Sequence, residues 1–352
     1  MSLTVRIRKK LSHFTLIADF SAADHFTCLL GASGSGKSML LKCIAGLETP
    51  DEGYIELNGR VLYDSEKKID IRPQNRSVGY LFQNYALFPN MTVKENILIS
   101  RYKDRNLPEV KDRVAELISL LQLEGHEDKY PNRISGGQQQ RTALARIMMS
   151  DPEILLLDEP FAALDANLRE KLQMEMKDLL KEYGQQVIMV THDRDEAYRM
   201  SDAAGVLEDG RLIVFKSTRE LFANPETVSA ARMIGCKNIV PVQIRSQHEL
   251  AVPQWGIQIR LKQPVPEGTT HIGIKAHHFG NKKDYTFPVC YCGGMEDTFE
   301  HIIRFRFLEQ EPGSADIWWK LPYALTPDTL PDRIGFNEKD ILLLHQEVRE
   351  TC

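Results

Sequence analysis

The chain has 352 residues, with 44 basic against 49 acidic side chains, 42% hydrophobic and 26% charged residues. That composition is globular and long enough for two domains, and it excludes a fibrous, collagenous or wholly disordered chain. A net charge of −5 with both signs interspersed gives no broad basic field, so bulk electrostatics offers nothing to a nucleic acid.

Six cysteines (Cys28, Cys43, Cys236, Cys290, Cys292, Cys352) follow no paired rhythm, and no charged-then-apolar leader precedes the first strand. A reduced cytosolic setting is expected. No apolar run approaches the roughly 18 to 20 residues of a bilayer span, so any membrane role is expected to be peripheral.

Residues 1 to about 235 alternate short β-rich runs with helical patterns, the mark of an α/β layer fold. The first near-continuous apolar run, Phe26 to Leu30, leads into Gly31-Ala32-Ser33-Gly34-Ser35-Gly36-Lys37-Ser38 and then the helix-like Met39 to Ala45, closed by Gly46. A strand, a glycine-rich turn and a helix start are the context a phosphate loop needs. Its glycines let backbone N–H groups converge on phosphate oxygens, and the helix start adds partial positive charge. Lys37 then neutralises the β- and γ-phosphates and Ser38 binds Mg²⁺.

Val78 to Phe82 reads as the next buried strand, and Val110, Val114, Leu117, Ile118 and Leu121 recur at helical spacing. Ser135-Gly136-Gly137-Gln138-Gln139-Gln140-Arg141 stands before a helical stretch, where its serine and glycines offer donors to a second phosphate. At average composition the string Ser-Gly-Gly-Gln arises by chance at roughly one position in 10⁵.

Ile154 to Leu157 delivers Asp158 and Glu159 at the end of a strand, where open α/β sheets bind ligands. Asp158 is expected to hold Mg²⁺, and Glu159 to orient or activate an attacking water. Leu168, Leu172, Met176, Leu179 and Leu180 form a second amphipathic helix, followed by the strand Val187 to Val190. Met148, Met149, Met174 and Met176 read as packing residues.

After Gly235, nine prolines punctuate short alternating stretches such as Ile257 to Leu261 and Ile302 to Phe307, which reads as a small all-β domain. The boundary is expected near Cys236. His277-His278 and Cys290-x-Cys292 lack tetrahedral-site spacing, so strand residues are expected there rather than metal ligands. Trp318 and Trp319 are expected to pack the β domain.

The three motifs, in this order, resemble the ATP-binding cassette family, and specifically the ATPase subunits of bacterial importers. The resemblance covers residues 1 to about 235, and it implies a mixed-sheet P-loop cassette with a helical subdomain inserted at about 84–150. Residues 236–352 look like the small β-barrel accessory domain of such importers, with His271 to His278 resembling a recurring strand. By the same resemblance Gln83 is the Q-loop glutamine at the metal site and Asp165 is the D-loop aspartate. His192 is the switch histidine that contacts the γ-phosphate.

The family's mechanism implies a head-to-tail homodimer in which Lys37 of one copy and Ser135 and Gly137 of the other clasp one ATP. It also implies integral-membrane permease subunits, which receive the segment Asn84 to Tyr102, an extracytoplasmic solute-binding protein, and a place on the cytoplasmic face of the membrane. ATP and Mg²⁺ are the expected cofactors. Relatives stack adenine on an aromatic near the first strand, whereas Leu11 stands there by spacing, with Phe14 three residues on; weaker base discrimination is expected. Ile134 and Ala162 replace a common leucine and serine.

The stretch Ser2 to Leu11 followed by Phe14 to Leu16 looks most like molybdate or sulfate importer subunits, with polyamine, iron or sugar as alternative cargo. A soluble cassette protein acting in translation or DNA repair is the rival from another class, but it needs two cassettes or a long coiled-coil insertion. A P-loop kinase leaves Ser135 to Gln138 unexplained, and an exporter ATPase leaves the β domain unexplained.

Overall fold

The computed structural model describes residues 2–162, 166–327 and 329–347. The chain divides into two units, Met1–Leu221 and Phe222–Cys352.

In the first unit the elements run β1 (Leu3–Lys10), β2 (Thr15–Ala22), β3 (Phe26–Leu30), α1 (Lys37–Ala45), β4 (Glu52–Leu57), β5 (Arg60–Asp64), β6 (Ile69–Asp70) and β7 (Val78–Leu81). There follow α2 (Val93–Leu98), α3 (Pro108–Leu120), α4 (Gly136–Met148), β8 (Ile154–Asp158), α5 (Ala166–Tyr183), β9 (Gln186–Thr191), α6 (Arg194–Met200), β10 (Ala203–Glu208) and β11 (Arg211–Ser217). Among the described residues the strands form one 11-stranded sheet in the order β6-β5-β4-β1-β2-β11-β10-β3-β9-β8-β7.

The sheet is mixed: β4, β1 and β2 pair antiparallel, while β10, β3, β9, β8 and β7 run parallel. Parallel neighbours need crossovers, which α2 to α4, α5 and α6 supply. β3, β8 and β9 are buried at every position, as expected for apolar runs covered on both faces. Parallel pairing aligns their carboxyl ends along one edge, so the loops after Leu30, Asp158 and Thr191 open side by side.

The first helix is held at its far end by a single arginine. Gly46 caps α1 in the left-handed region at φ 76°, and a Cβ there would meet Arg76 Nε at 2.5 Å; only glycine satisfies both conditions. Arg76 is 0% exposed and donates to Cys43 O at 2.9 Å, Ile44 O at 2.8 Å and Ile71 O at 2.7 Å. Its remaining nitrogen pairs with Asp70 at 2.9 Å. Carbonyls left over by the helix are thus satisfied inside the protein.

Among the helices between β7 and β8, α2 and α4 each open with a capping box, Thr92 with Glu95 and Ser135 with Gln138. α3 buries Val110, Val114, Leu117 and Ile118, the stripe expected from spacing. The methionines divide: Met148, Met149 and Met176 are buried, but Met174 is 64% exposed. Met174 lies two residues from Met176 on α5, and a helix turns such a position to another face.

The second unit begins within α7 (Thr218–Ala223) and continues with α8 (Val228–Met233), β12 (Asn238–Pro241), β13 (Gln243–Ser246), β14 (Glu249–Val252), β15 (Ile257–Arg260) and β16 (His271–Ile274). It ends with β17 (Tyr285–Glu296), β18 (Glu300–Phe307), β19 (Ile317–Pro322), β20 (Arg333–Phe336) and β21 (Ile341–Leu344). Among the described residues the barrel-like expectation resolves into three small sheets, β12-β16-β21, β13-β14-β15 and β19-β18-β17-β20. They share one core in which Trp255, Phe279, Phe305, Phe307 and Phe336 meet largely edge to face.

Trp319 is in that core, whereas Trp318 stands on the opposite, half-buried side of β19. α8 lies ahead of the proline-rich texture, yet its Val228 and Ala231 pack with Cys236, Leu342 and Leu344. A proline-free amphipathic helix carries no sign of the unit to which it belongs.

Candidate functional site

Gly36, at φ 101°, N-caps α1 and brings no side chain to its first amides. A Cβ on Gly31 would stand 2.5 Å from both Leu207 O and Ser35 Oγ, so the backbone turns where no other residue fits. Ser35 Oγ is buried without a hydrogen-bond partner. Uncapped amides, a helix dipole and an orphaned hydroxyl together suit a phosphate group.

Lys37, 4% exposed, donates from Nζ to Gly31 O at 2.8 Å and Ala32 O at 2.9 Å, and stands 3.7 Å from Glu159 Oε1. Burial pushes its ammonium below the ordinary lysine value, against the opposing pull of Glu159 and Asp158. Glu159 holds φ 44° and donates its backbone N–H to Val190 O at 3.1 Å. A left-handed conformation is costly for a residue with a Cβ. Here it turns a 16% exposed carboxylate toward both Lys37 and His192, whose Nδ1 lies 3.2 Å from Glu159 Oε2. His192 itself is 53% exposed.

Asp158 closes β8 with both oxygens engaged: Ser38 Oγ donates to Oδ1 at 2.7 Å and Tyr80 Oη to Oδ2 at 2.8 Å. The hydroxyl and carboxylate of Ser38 and Asp158 are hard oxygen donors side by side, the donor chemistry that Mg²⁺ prefers. Burial, then the Asp158 charge, pushes the Tyr80 phenol well above its ordinary value, so it serves here as a donor.

Behind His192 lies a buried polar chain that spacing did not announce. Thr191 Oγ1 donates to Glu196 Oε2 at 2.6 Å and accepts from Asp193 N at 3.0 Å, and Gln173 Nε2 donates to Glu196 Oε1 at 3.0 Å. These bonds join α5, β9 and α6 around the loop that presents the histidine.

The structure thus brings Lys37, Ser38, Asp158, Glu159 and His192 together through direct contacts. Ser33 and Gly34 are exposed at the tip of the loop, and Gln83 is exposed just beyond β7. Ser135 and Gln138 bond to each other, with Gln138 Nε2 2.7 Å from His126 Nε2; Gly136 is exposed and Gly137 buried, where a Cβ would meet Leu172 at 3.0 Å. Asp165 lies outside the described residues. Leu11 and Phe14 both pack against the sheet core, and a Cβ on Gly36 would meet the Phe14 ring at 3.2 Å, which puts that ring beside the end of the phosphate loop.

Sequence reasoning missed Tyr80 and Glu196. Tyr80 was visible only as a strand residue; its signal is register, since β7 and β8 pair with Tyr80 opposite Leu156. Glu196 sits four residues after His192 in an acidic helix start, and composition there suggests a solvated face. In the second unit His277 and His278 lie not on a strand but in the 3₁₀ turn Ala276–His278 after β16, with their rings edge to face at 4.3 Å and His278 Nδ1 3.5 Å from Asp340.

The family model described as ABC transporter matches residues 21–162. The chain is 44% identical over 216 residues to the spermidine/putrescine import ATP-binding protein PotA of Oleidesulfovibrio alaskensis, covering 61% of this chain and 56% of that protein. It therefore spans little more than half the length of that relative. To the sulfate/thiosulfate import ATP-binding protein CysA of Synechocystis sp. it is 39% identical over 246 residues, 68% of each chain. Among solved structures, a dimeric post-hydrolysis state of the ATP-binding cassette MJ0796 bound to ADP and Pi matches with TM-score 0.51 and 30% identity, covering 62% of this chain and 99% of that one. With that coverage, and with the phosphate loop and Asp158–Glu159 set at one sheet edge, the chain belongs to the ABC transporter family.

Proposed function

We propose that this chain is the ATP-hydrolysing subunit of an importer, coupling ATP and water to ADP and phosphate with inward movement of a small solute. The observation that carries the reading is the contact set Lys37–Glu159–His192 beside Ser38–Asp158 on one sheet edge. Lys37 exchanges its two carbonyl contacts for phosphate oxygens, and the α1 amides bind the same group. Glu159 orients the attacking water or takes its proton, with His192 beside it holding the carboxylate in place. Mg²⁺, held by Ser38 and Asp158 with Gln83 as a further ligand, supplies charge neutralisation at the phosphates.

Ser135 and Gly137 of a second copy complete the site around Lys37, so the working unit is a homodimer; the neighbour MJ0796 is likewise described as dimeric. Permease subunits, a solute-binding protein and the cytoplasmic face of the membrane complete the assembly. The cargo reading is an oxyanion such as sulfate or molybdate, supported by the sulfate/thiosulfate relative. A polyamine is the second reading, favoured by the 44% identical spermidine/putrescine relative.

One experiment tests activity and cargo together. In cells lacking the gene, the wild-type chain should restore uptake of labelled sulfate. Glu159→Gln should not, with phosphate release by the purified variant lowered about 10² to 10⁴-fold. Restoration of spermidine uptake alone moves the cargo to polyamines, and full restoration by Glu159→Gln overturns the reading.

A further inference from the structure

Besides Ser38, one side chain among the described residues bonds directly to the Asp158 carboxylate, and no phosphate-loop or strand-end motif contains it. β7 pairs in parallel with β8, placing Tyr80 opposite Leu156. Asp158 lies two residues further along β8, on the same face of the sheet as Leu156. That offset is about 6.6 Å of strand rise, which a phenol leaning along the strand crosses with its hydroxyl. Tyr80 Oη donates to Asp158 Oδ2 at 2.8 Å, while Ser38 Oγ takes Oδ1 at 2.7 Å.

The ring is also braced. Its outer side meets Phe82 with centroids 4.6 Å apart, and its inner side packs against the sheet core. Each oxygen of Asp158 therefore has its own donor, one from α1 and one from β7, and the carboxylate has no free rotation about its terminal bond.

Resting on the nucleotide-site reading above, we propose that Tyr80 is a positioning residue that fixes the Asp158 carboxylate so that Oδ1, beside Ser38, is presented to a divalent cation. With Oδ2 held by the phenol, the carboxylate meets the cation through one oxygen at a set angle. Partners that orient a metal-binding side chain in this way typically change metal affinity 10- to 100-fold. Phe82 directly precedes Gln83, so the ring that braces Tyr80 also belongs to the segment carrying the proposed further ligand.

The test uses the full chain, Mn²⁺ as the probe, and electron paramagnetic resonance to count bound ion in the presence of ATP. Tyr80→Phe keeps the ring and its contact with Phe82 and removes only the hydroxyl. It should weaken Mn²⁺ binding about tenfold, while affinity for a fluorescent ATP analogue in excess EDTA stays within about twofold. Phe82→Leu, which keeps the hydroxyl and removes its brace, should weaken Mn²⁺ in the same direction by less. Unchanged Mn²⁺ affinity in Tyr80→Phe overturns the proposal, as does an equal loss of nucleotide affinity in EDTA, the mark of a general packing role. A wild-type chain that binds no Mn²⁺ with ATP overturns the nucleotide-site reading and this inference with it, an outcome distinct from failure of the tyrosine alone.

Discussion

Glu196 is 4% exposed and accepts hydrogen bonds from the hydroxyl of Thr191 and the amide of Gln173, with the Asp193 carboxylate and the Arg169 guanidinium also acting on it. Burial, and then the Asp193 charge, push its carboxyl above the ordinary glutamate value, while the Thr191 hydrogen bond, the Arg169 charge and the Gln173 hydrogen bond pull it back in part. A carboxyl whose folded pKa exceeds its unfolded value of about 4.3 contributes fully below the unfolded value, and that contribution is lost as pH rises through the folded one. Glu196→Gln keeps the size and the bond from Gln173 without the ionisation. Its melting temperature should therefore match the wild type below about pH 4, rise above it as pH passes through the folded-state value, and keep that margin at higher pH, by about 2–4 °C for each kcal/mol relieved. A difference independent of pH would remove ionisation from the account. At this scale the placement of Asp158 and Glu159 at a strand end was legible because they close an apolar run. Glu196 and Tyr80 were not, because each matters through a partner that only tertiary pairing supplies.

The elements themselves were written plainly where both faces are covered or where helical spacing is clean, as in β3, β8, β9 and α3. What no local pattern disclosed is how α1 is held at its end. Arg76 lies thirty residues after Gly46, in a polar stretch that looks solvated, yet it is fully buried and satisfies two α1 carbonyls and Ile71 O. Removing it takes a donor from each of three carbonyls, of which Cys43 O keeps the Gly46 amide, and leaves Asp70 without its cation. Arg76→Met should lower unfolding free energy by about 2–4 kcal/mol, read as a shift of the urea midpoint with unchanged slope; a shift below about 0.5 kcal/mol would show that water or rearrangement replaces the arginine. Since α1 begins with Lys37 and Ser38, its far-end cap bears on where those two side chains stand.

For the whole molecule, the proposed homodimer needs the Lys37 loop of one copy and the Ser135 cap of the other in one site. Lys37→Ala and Ser135→Arg should each abolish hydrolysis alone. Mixed in equal amounts, half of the dimers pair the two variants and keep one intact site of two, so about a quarter of wild-type activity should return. No recovery on mixing would place both halves of the site in a single copy. The proline texture after Gly235 pointed to a boundary near Cys236, whereas the structural division falls between Leu221 and Phe222, because the apolar face of α8 matches any core. The distribution of thiols between the units has a practical consequence. Cys28, Cys43 and Cys236 are buried, with the Cys43 thiol pushed up to about 12 and that of Cys236 to about 11, while Cys290 and Cys292 are exposed on β17. Among the described cysteines, a maleimide dye would therefore mark the β-rich unit and spare the first unit, giving a native handle for fluorescence transfer between copies without an engineered residue.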